Sequence, residues 1–259
     1  MRTQSILLLT LIVSVIPSCS TLNVTSFNIA ADGVEYKYEV VVPMANFVRV
    51  SPVTPANQLT GKIVIPSTVK HHGIVYVVSQ INKNAFENYT GITEICIPST
   101  ISVIEEKAFR NCTALHKINI PQPLSTIGNY AFEGCSSLED FNLQASISTL
   151  GEGCFRNCTA LTNIIIPTSL NNIPPKAFEG CSALEEIYID RNMLTIGSKA
   201  FFGCTSVTNF TCLTPTPPAA QSDTFEGMNV NLHITVPTAN IEQYRTTIGW
   251  SYFSHFIGQ

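Results

Sequence analysis

Five cysteines, Cys112, Cys135, Cys158, Cys181 and Cys204, follow one another at a single unvarying interval. Thiols at a regular spacing suit metal ligation, disulfide bonding or redox chemistry. Two of them lie in Asn-Cys-Thr, formally a glycosylation sequon, within the near-copies "AFRNCTALHKINIP" and "CFRNCTALTNIIIP". The column just before the cysteines decides how they read. It runs Asn88, Asn111, Gly134, Asn157, Gly180, Gly203. A sugar acceptor does not alternate with glycine, but Asn and Gly share a tolerance for left-handed backbone, as at the end of a helical turn. The cysteine column, headed by Tyr89, then reads as small side chains pointing inward in successive coils. Coils about 4.8 Å apart bring thiols within reach of some disulfides, yet parallel side-chain vectors suit bridging poorly. Buried free thiols behave as small hydrophobes.

The other reactive residues form no constellation. His71, His72, His116, His233 and His255 have no metal-ligand spacing to one another. The chain lacks a Gly-x-Ser-x-Gly, a His-Glu-x-x-His, a glycine-rich phosphate loop and a spaced Cys-x-x-Cys pair. The carboxylate pairs Glu105-Glu106, Glu139-Asp140 and Glu185-Glu186 read as solvated faces. No catalytic residue, metal site or cofactor is expected, and the chain is not read as an enzyme.

What positions these residues is a repeat. Phe86, Phe109, Phe132, Phe155, Phe178 and Phe201 recur at the same interval as the cysteines, and so do Ile81, Ile104, Ile127, Leu150, Ile173 and Ile196. A period in the twenties held over successive copies without insertion marks a solenoid. Each copy reads Leu-x-x-Ile-x-Ile-Pro, then apolar-x-x-Ile, then Ala-Phe-x-x-Cys. Ile118 and Ile120 have strand spacing, and Pro121 ends that strand because it has no backbone donor. Ala108-Phe109-Arg110 is expected to form one helical turn that drops its ring into the core. The expected fold is mainly β: a right-handed solenoid of stacked parallel strands with short helical turns.

The ends and the composition set the setting. Met1-Arg2 precedes an apolar run, Ile6 to Ile16, which is too short to span a bilayer. Residues 1–18 therefore read as a signal peptide. Ile16-Pro17-Ser18-Cys19 resembles a lipoprotein box, with Cys19 as the lipidated first residue of the mature chain. Pro17 departs from such boxes, so ordinary cleavage near Ser20, giving a secreted form, is the other outcome. Residues 19–77 are expected to form a β-rich N-terminal cap, 78–213 six repeats, and 214–259 a degenerate last repeat with a strand–helix C-terminal cap. Charged residues make up only 12% of the chain, the net charge is -4, and no basic cluster exists. Nucleic acid is therefore not an expected partner. Membrane contact is expected only through a lipid at Cys19.

Leu-x-x-Ile-x-Ile-Pro followed by Ile-x-x-x-Ala-Phe-x-x-Cys resembles the BspA-like class of leucine-rich repeats, strongly from about Val78 to Leu213. "DGVEYKYEV" and "GKIVIPSTV" resemble that family's lead-in, and "HITVPTANIEQYRTTIGWSYF" its closing segment. Tyr89 in place of Cys, and Gln144 and Asp190 in place of Pro, are departures. The resemblance implies an exported bacterial surface protein used in adhesion, and it implies no catalytic residue.

A binding face can be read from strand alternation. The residues between the two inward positions run Cys96, Asn119, Asn142, Ile165, Tyr188, Thr211, and the column two residues earlier runs Glu94, Lys117, Asp140, Asn163, Glu186, Asn209. Ile165 beside Tyr188 is an apolar pair on an otherwise polar face. With Asn142, Asp140 and Glu186 it forms the candidate contact for a protein or glycan on host or neighbouring cells. The competing expectation is a structural envelope component or spacer without a specific ligand, in which Ile165 and Tyr188 only pack on each other.

Overall fold

The computed structural model describes residues 26–42 and 45–259. The leader and Cys19 lie outside the described residues. The lead-in consists of β1 (Ser26–Ala31), β2 (Val34–Val42) and β3 (Phe47–Pro52), antiparallel in turn, followed by β4 (Gly61–Val64), β5 (Thr68–His71) and β6 (Ile74–Ile81). Asp32-Gly33 and His72-Gly73 both have positive φ, the conformation that two-residue hairpin turns demand. Alternation along β2 and β3 buries Tyr36, Tyr38, Val48 and Val50.

Each coil then contributes a first strand and a short return strand. These are β7 (Ile92–Cys96) and β8 (Val103–Ile104), β9 (Lys117–Ile118) and β10 (Thr126–Ile127), and the lone return strand β11 (Thr149–Leu150). Next come β12 (Asn163–Ile166) and β13 (Asn172–Ile173), β14 (Glu186–Ile189) and β15 (Thr195–Ile196), and β16 (Asn209–Cys212) and β17 (Ala219–Ala220). The chain closes with β18 (His233–Val236), helix α1 (Ile241–Thr246) and β19 (His255–Gly258). All pairings between coils are parallel, in a solenoid of about 8 turns. The solenoid takes in β4, which pairs with β7, and β6, which pairs with β8. Ile81, at the end of β6, heads its column, so the first marked coil begins earlier in the chain, with β4 as its first strand.

The interior is a set of columns. Rings Phe86 to Phe201 stack with neighbouring centroids 5.2–5.6 Å apart and planes within 11° of parallel. Beside them each thiol donates to the carbonyl of the phenylalanine one coil back: Cys112 to Phe86, Cys135 to Phe109, Cys158 to Phe132, Cys181 to Phe155 and Cys204 to Phe178, at 3.1–3.3 Å. Tyr89, at the head of the column, instead donates to the Thr54 carbonyl at 2.9 Å and ties the lead-in to the stack. At the far end Trp250 covers Phe225 and Phe210, with its indole N–H on the Pro218 carbonyl at 2.8 Å.

The corner expected as a helical turn is a run of tight turns. Lys107 and Asn111 both have positive φ, as do Tyr130 and Gly134 one coil on. This alternation stops a helix from propagating. Every second amide leaves the turn for the next coil: Phe109 N–H bonds the Ala131 carbonyl and Asn111 N–H the Glu133 carbonyl. All six residues of the Asn/Gly column are left-handed, with φ between 58° and 74°.

The strand ladders break twice, each time at identifiable residues. On the return side Gly128, Gly151 and Gly197 each donate at 2.8 Å to the coil before. Pro174 occupies the same column without an N–H, and β11 and β13 do not pair. On the first-strand side the Asn119 carboxamide bonds both the N–H and the carbonyl of Ile97 at 2.7 Å. The side chain replaces the ladder there. β9 is cut to two residues, and Ile118 and Ile120 are left half-buried. Phe141 in the following coil is buried against Phe132 and Phe155 but lies in no strand. The first strands are therefore divided into β4-β7-β9 and β12-β14-β16-β18-β19.

Candidate binding face on the five-stranded sheet

The five-stranded sheet presents two outward columns. One is Asn163, Glu186, Asn209, His233, His255, and the other is Ile165, Tyr188, Thr211, Thr235, Ile257. Alternation puts Ile164, Ile166, Ile187 and Ile189 in the core at 0–2% exposure, while Ile165 between them is 59% exposed. A residue's face therefore follows from its place in the strand.

Ile165 and Tyr188 are paired in register on β12 and β14. Glu186 is exposed on the same sheet, opposite Asn163. Asp140 and Asn142 are exposed too, but they lie in the coil without a first strand. Asp140 reaches the sheet only through a 3.2 Å bond from the Asn163 amide, and Asn142 stands beyond the sheet's edge. The structure thus brings together Ile165, Tyr188 and Glu186, with Asp140 adjoining.

Sequence reasoning missed the far side of this face. Strand β19 extends it, adding Ile257 at 48% exposure and His255. A shallow groove crosses the threonines here, lined by Thr208, Asn209, Thr211, His233, Thr235 and Ile257. The signal was the short alternation His255-Phe256-Ile257, with Phe256 inward. A second, separate depression lies beneath the Pro-rich loop, where Leu194 is 64% exposed beside Arg191, Pro215 and Pro217.

The charged residues along the corner and in the lead-in serve the scaffold. Glu87, Arg110, Glu133, Arg156 and Glu179 alternate in sign at the repeat interval and pair at 2.6–3.3 Å along the corner. Glu39 gathers Lys37 and Arg49; their hydrogen bonds and charges outweigh its burial and hold its carboxyl below the ordinary range. Burial pushes the thiols the other way, Cys112 and Cys181 up to about 12 and Cys135, Cys158 and Cys204 well above their ordinary value. A thiol held protonated is a poor nucleophile and a poor metal ligand. The column therefore does structural work through its hydrogen bonds.

The family model described as BspA type leucine rich repeat region matches residues 79–208 and 171–255, in six copies. Two solved structures share the fold. The leucine rich repeat protein of T. pallidum is 24% identical, with a TM-score of 0.53 over 66% of this chain and 87% of that one. A leucine rich cell surface protein from Faecalibacterium prausnitzii is 20% identical, with a TM-score of 0.57 over 82% of this chain and 70% of that one. At these identities the likeness is one of fold. No curated protein matches the chain.

Proposed function

The chain belongs to the BspA-type leucine-rich repeat family, and from that premise we propose that it is an exported surface protein that binds a protein or glycan through the outward face of β12 to β19. The observation that carries this reading is the exposed Ile165 registered beside Tyr188 on a sheet whose inward positions are fully packed. An isoleucine 59% exposed lies outside the packed core. Tyrosine offers a broad apolar ring with a polar tip, the type of anchor that concentrates binding energy in interfaces. The half-buried threonines between Tyr188 and Ile257 supply hydroxyls at strand spacing for a polar rim. The setting at the surface of a bacterial cell, with attachment through a lipid on Cys19, belongs to the same reading.

The experiment is capture by the purified mature domain from host matrix proteins, glycans and neighbouring bacteria, in parallel with the double variant Ile165→Ser/Tyr188→Ala. A ligand retained by the wild type and lost by the folded variant supports the reading. Equal retention by both moves the contact away from this face. Capture of nothing by either favours the spacer or coat role.

A further inference from the structure

His233 and His255 miss the repeat interval by one position, so their spacing suggests no shared site. The closing segment nevertheless brings β19 alongside β18 and pairs the two residues in register, with ring centroids 5.1 Å apart and ring planes at 54°. We propose that these two imidazoles form an open site for a divalent transition cation of the zinc or copper(II) class. The proposal does not rest on the binding role of Ile165 and Tyr188.

Three observations carry it. The first is distance. A metal about 2.0–2.1 Å from one nitrogen of each ring, at a near-tetrahedral angle, sets the ring centres about 5 Å apart, which is the separation already present between His233 and His255. The second is the tautomer of His255. Its Nδ1 lies 2.7 Å from the Ser254 hydroxyl, and that hydroxyl donates its hydrogen to the Val230 carbonyl at 3.2 Å. The hydroxyl therefore accepts from Nδ1–H, which leaves the Nε2 lone pair free. Metal-bound histidines are commonly held in this way by a partner on the second nitrogen. The third is charge. The strands β12, β14, β16, β18 and β19 carry no Lys or Arg, and Glu186 in the histidine column is their sole charged side chain. No fixed positive charge on these strands opposes a cation. Imidazole pairs suit zinc, copper and nickel, and with two protein donors the remaining coordination positions stay open to water or to a donor from a partner.

Titration of the full chain with Zn2+ tests this, read by calorimetry and by the imidazole resonances in a two-dimensional NMR spectrum. The expected result is one equivalent whose binding shifts the His233 and His255 resonances together. His233→Gln and His255→Gln should each weaken that equivalent at least tenfold, while His116→Gln leaves it unchanged. Because both side chains are exposed, the metal-free variants should melt within a few degrees of wild type. Zn2+ should raise the melting temperature of wild type and His116→Gln alone, since the cation ties β19 to β18. Zn2+ that leaves both resonances in place, or binds both variants as tightly as wild type, overturns the proposal. Should one variant fail to fold, the other decides.

Discussion

The Cys158 thiol donates to the Phe132 carbonyl at 3.2 Å, one coil back, and this bond recurs at each cysteine of the column. The cysteine is therefore a hydrogen-bond donor as well as a small inward side chain. Alanine loses both the bond and the sulfur's share of the packed core.

The buried thiols predict an alkaline limit to stability. In the unfolded chain a thiol ionises near its usual value of about 8.5, whereas burial keeps Cys112, Cys135, Cys158, Cys181 and Cys204 protonated in the fold well above it. Below that value the two states bind the same protons. Above it the folded state binds more, and each thiol removes about 1.4 kcal/mol of stability per pH unit. Urea unfolding between pH 7.5 and 9.5 should show the decline, and Cys158→Ala should make it shallower by one thiol's share while costing about 1–2 kcal/mol at pH 7.5 through the lost bond and lost burial. Alkylation should label these thiols only after denaturation. Rapid native labelling, or a flat pH dependence, contradicts the column as described.

Two glycines of one column should respond differently to alanine. Gly134 and Gly203 share a left-handed φ of 73–74°, so each substitution costs about 1 kcal/mol in backbone strain. A methyl at Gly134 would also stand 2.5 Å from the Asn111 side-chain oxygen, whereas at Gly203 it meets only Gly180 at 3.8 Å. Gly134→Ala should therefore melt lower than Gly203→Ala. The reverse order would place the Asn111 amide elsewhere.

The charge ladder is expected to be modest and sensitive to salt. Glu133 is nearly buried between Arg110 and Arg156, both about a third exposed. Glu133→Gln should cost about 1 kcal/mol at low ionic strength, and Glu133→Lys, which aligns three cations, more than that. The gap between the two should narrow in about 1 M salt. A gap independent of salt would mean that packing, not charge, holds the corner.

Cys19→Ala tests the proposed anchor. Expression of this variant should leave an unprocessed precursor or a soluble exported form. Unchanged membrane retention, with a mature chain starting near Thr21, would make Cys19 part of an ordinary signal peptide.

The columns were legible because one spacing repeats. Phe, Cys, Asn/Gly and the Ile81 register all recur at the same interval, and the Phe, Cys and Ile81 columns become contiguous buried stacks. The alternating Glu–Arg column had the same spacing and could have been found by asking which charges share a register. The ladder breaks were harder to see. Pro174 reveals itself only once its column is known to donate across coils, and Asn119 breaks a strand with a side-chain amide that fits the outward pattern. The His233–His255 pair was hidden because the closing segment abandons the period. The exposed Ile165 was legible from alternation alone. The extent of its face was not, since β19 follows a helix and the ladder ends at Asn119.

The most direct test of the binding face is a paired measurement on neighbouring residues of one strand. Tyr188 points outward and Ile187 inward, the latter 1% exposed. Tyr188→Ala should leave the melting temperature nearly unchanged and weaken binding to the captured ligand by about 2 kcal/mol, some thirtyfold. Ile187→Ala should destabilise the fold by about 2–5 kcal/mol through lost burial and a cavity, yet retain affinity where it remains folded. Wild-type affinity in folded Tyr188→Ala and in folded Ile165→Ser would contradict the assignment of this face as the binding site.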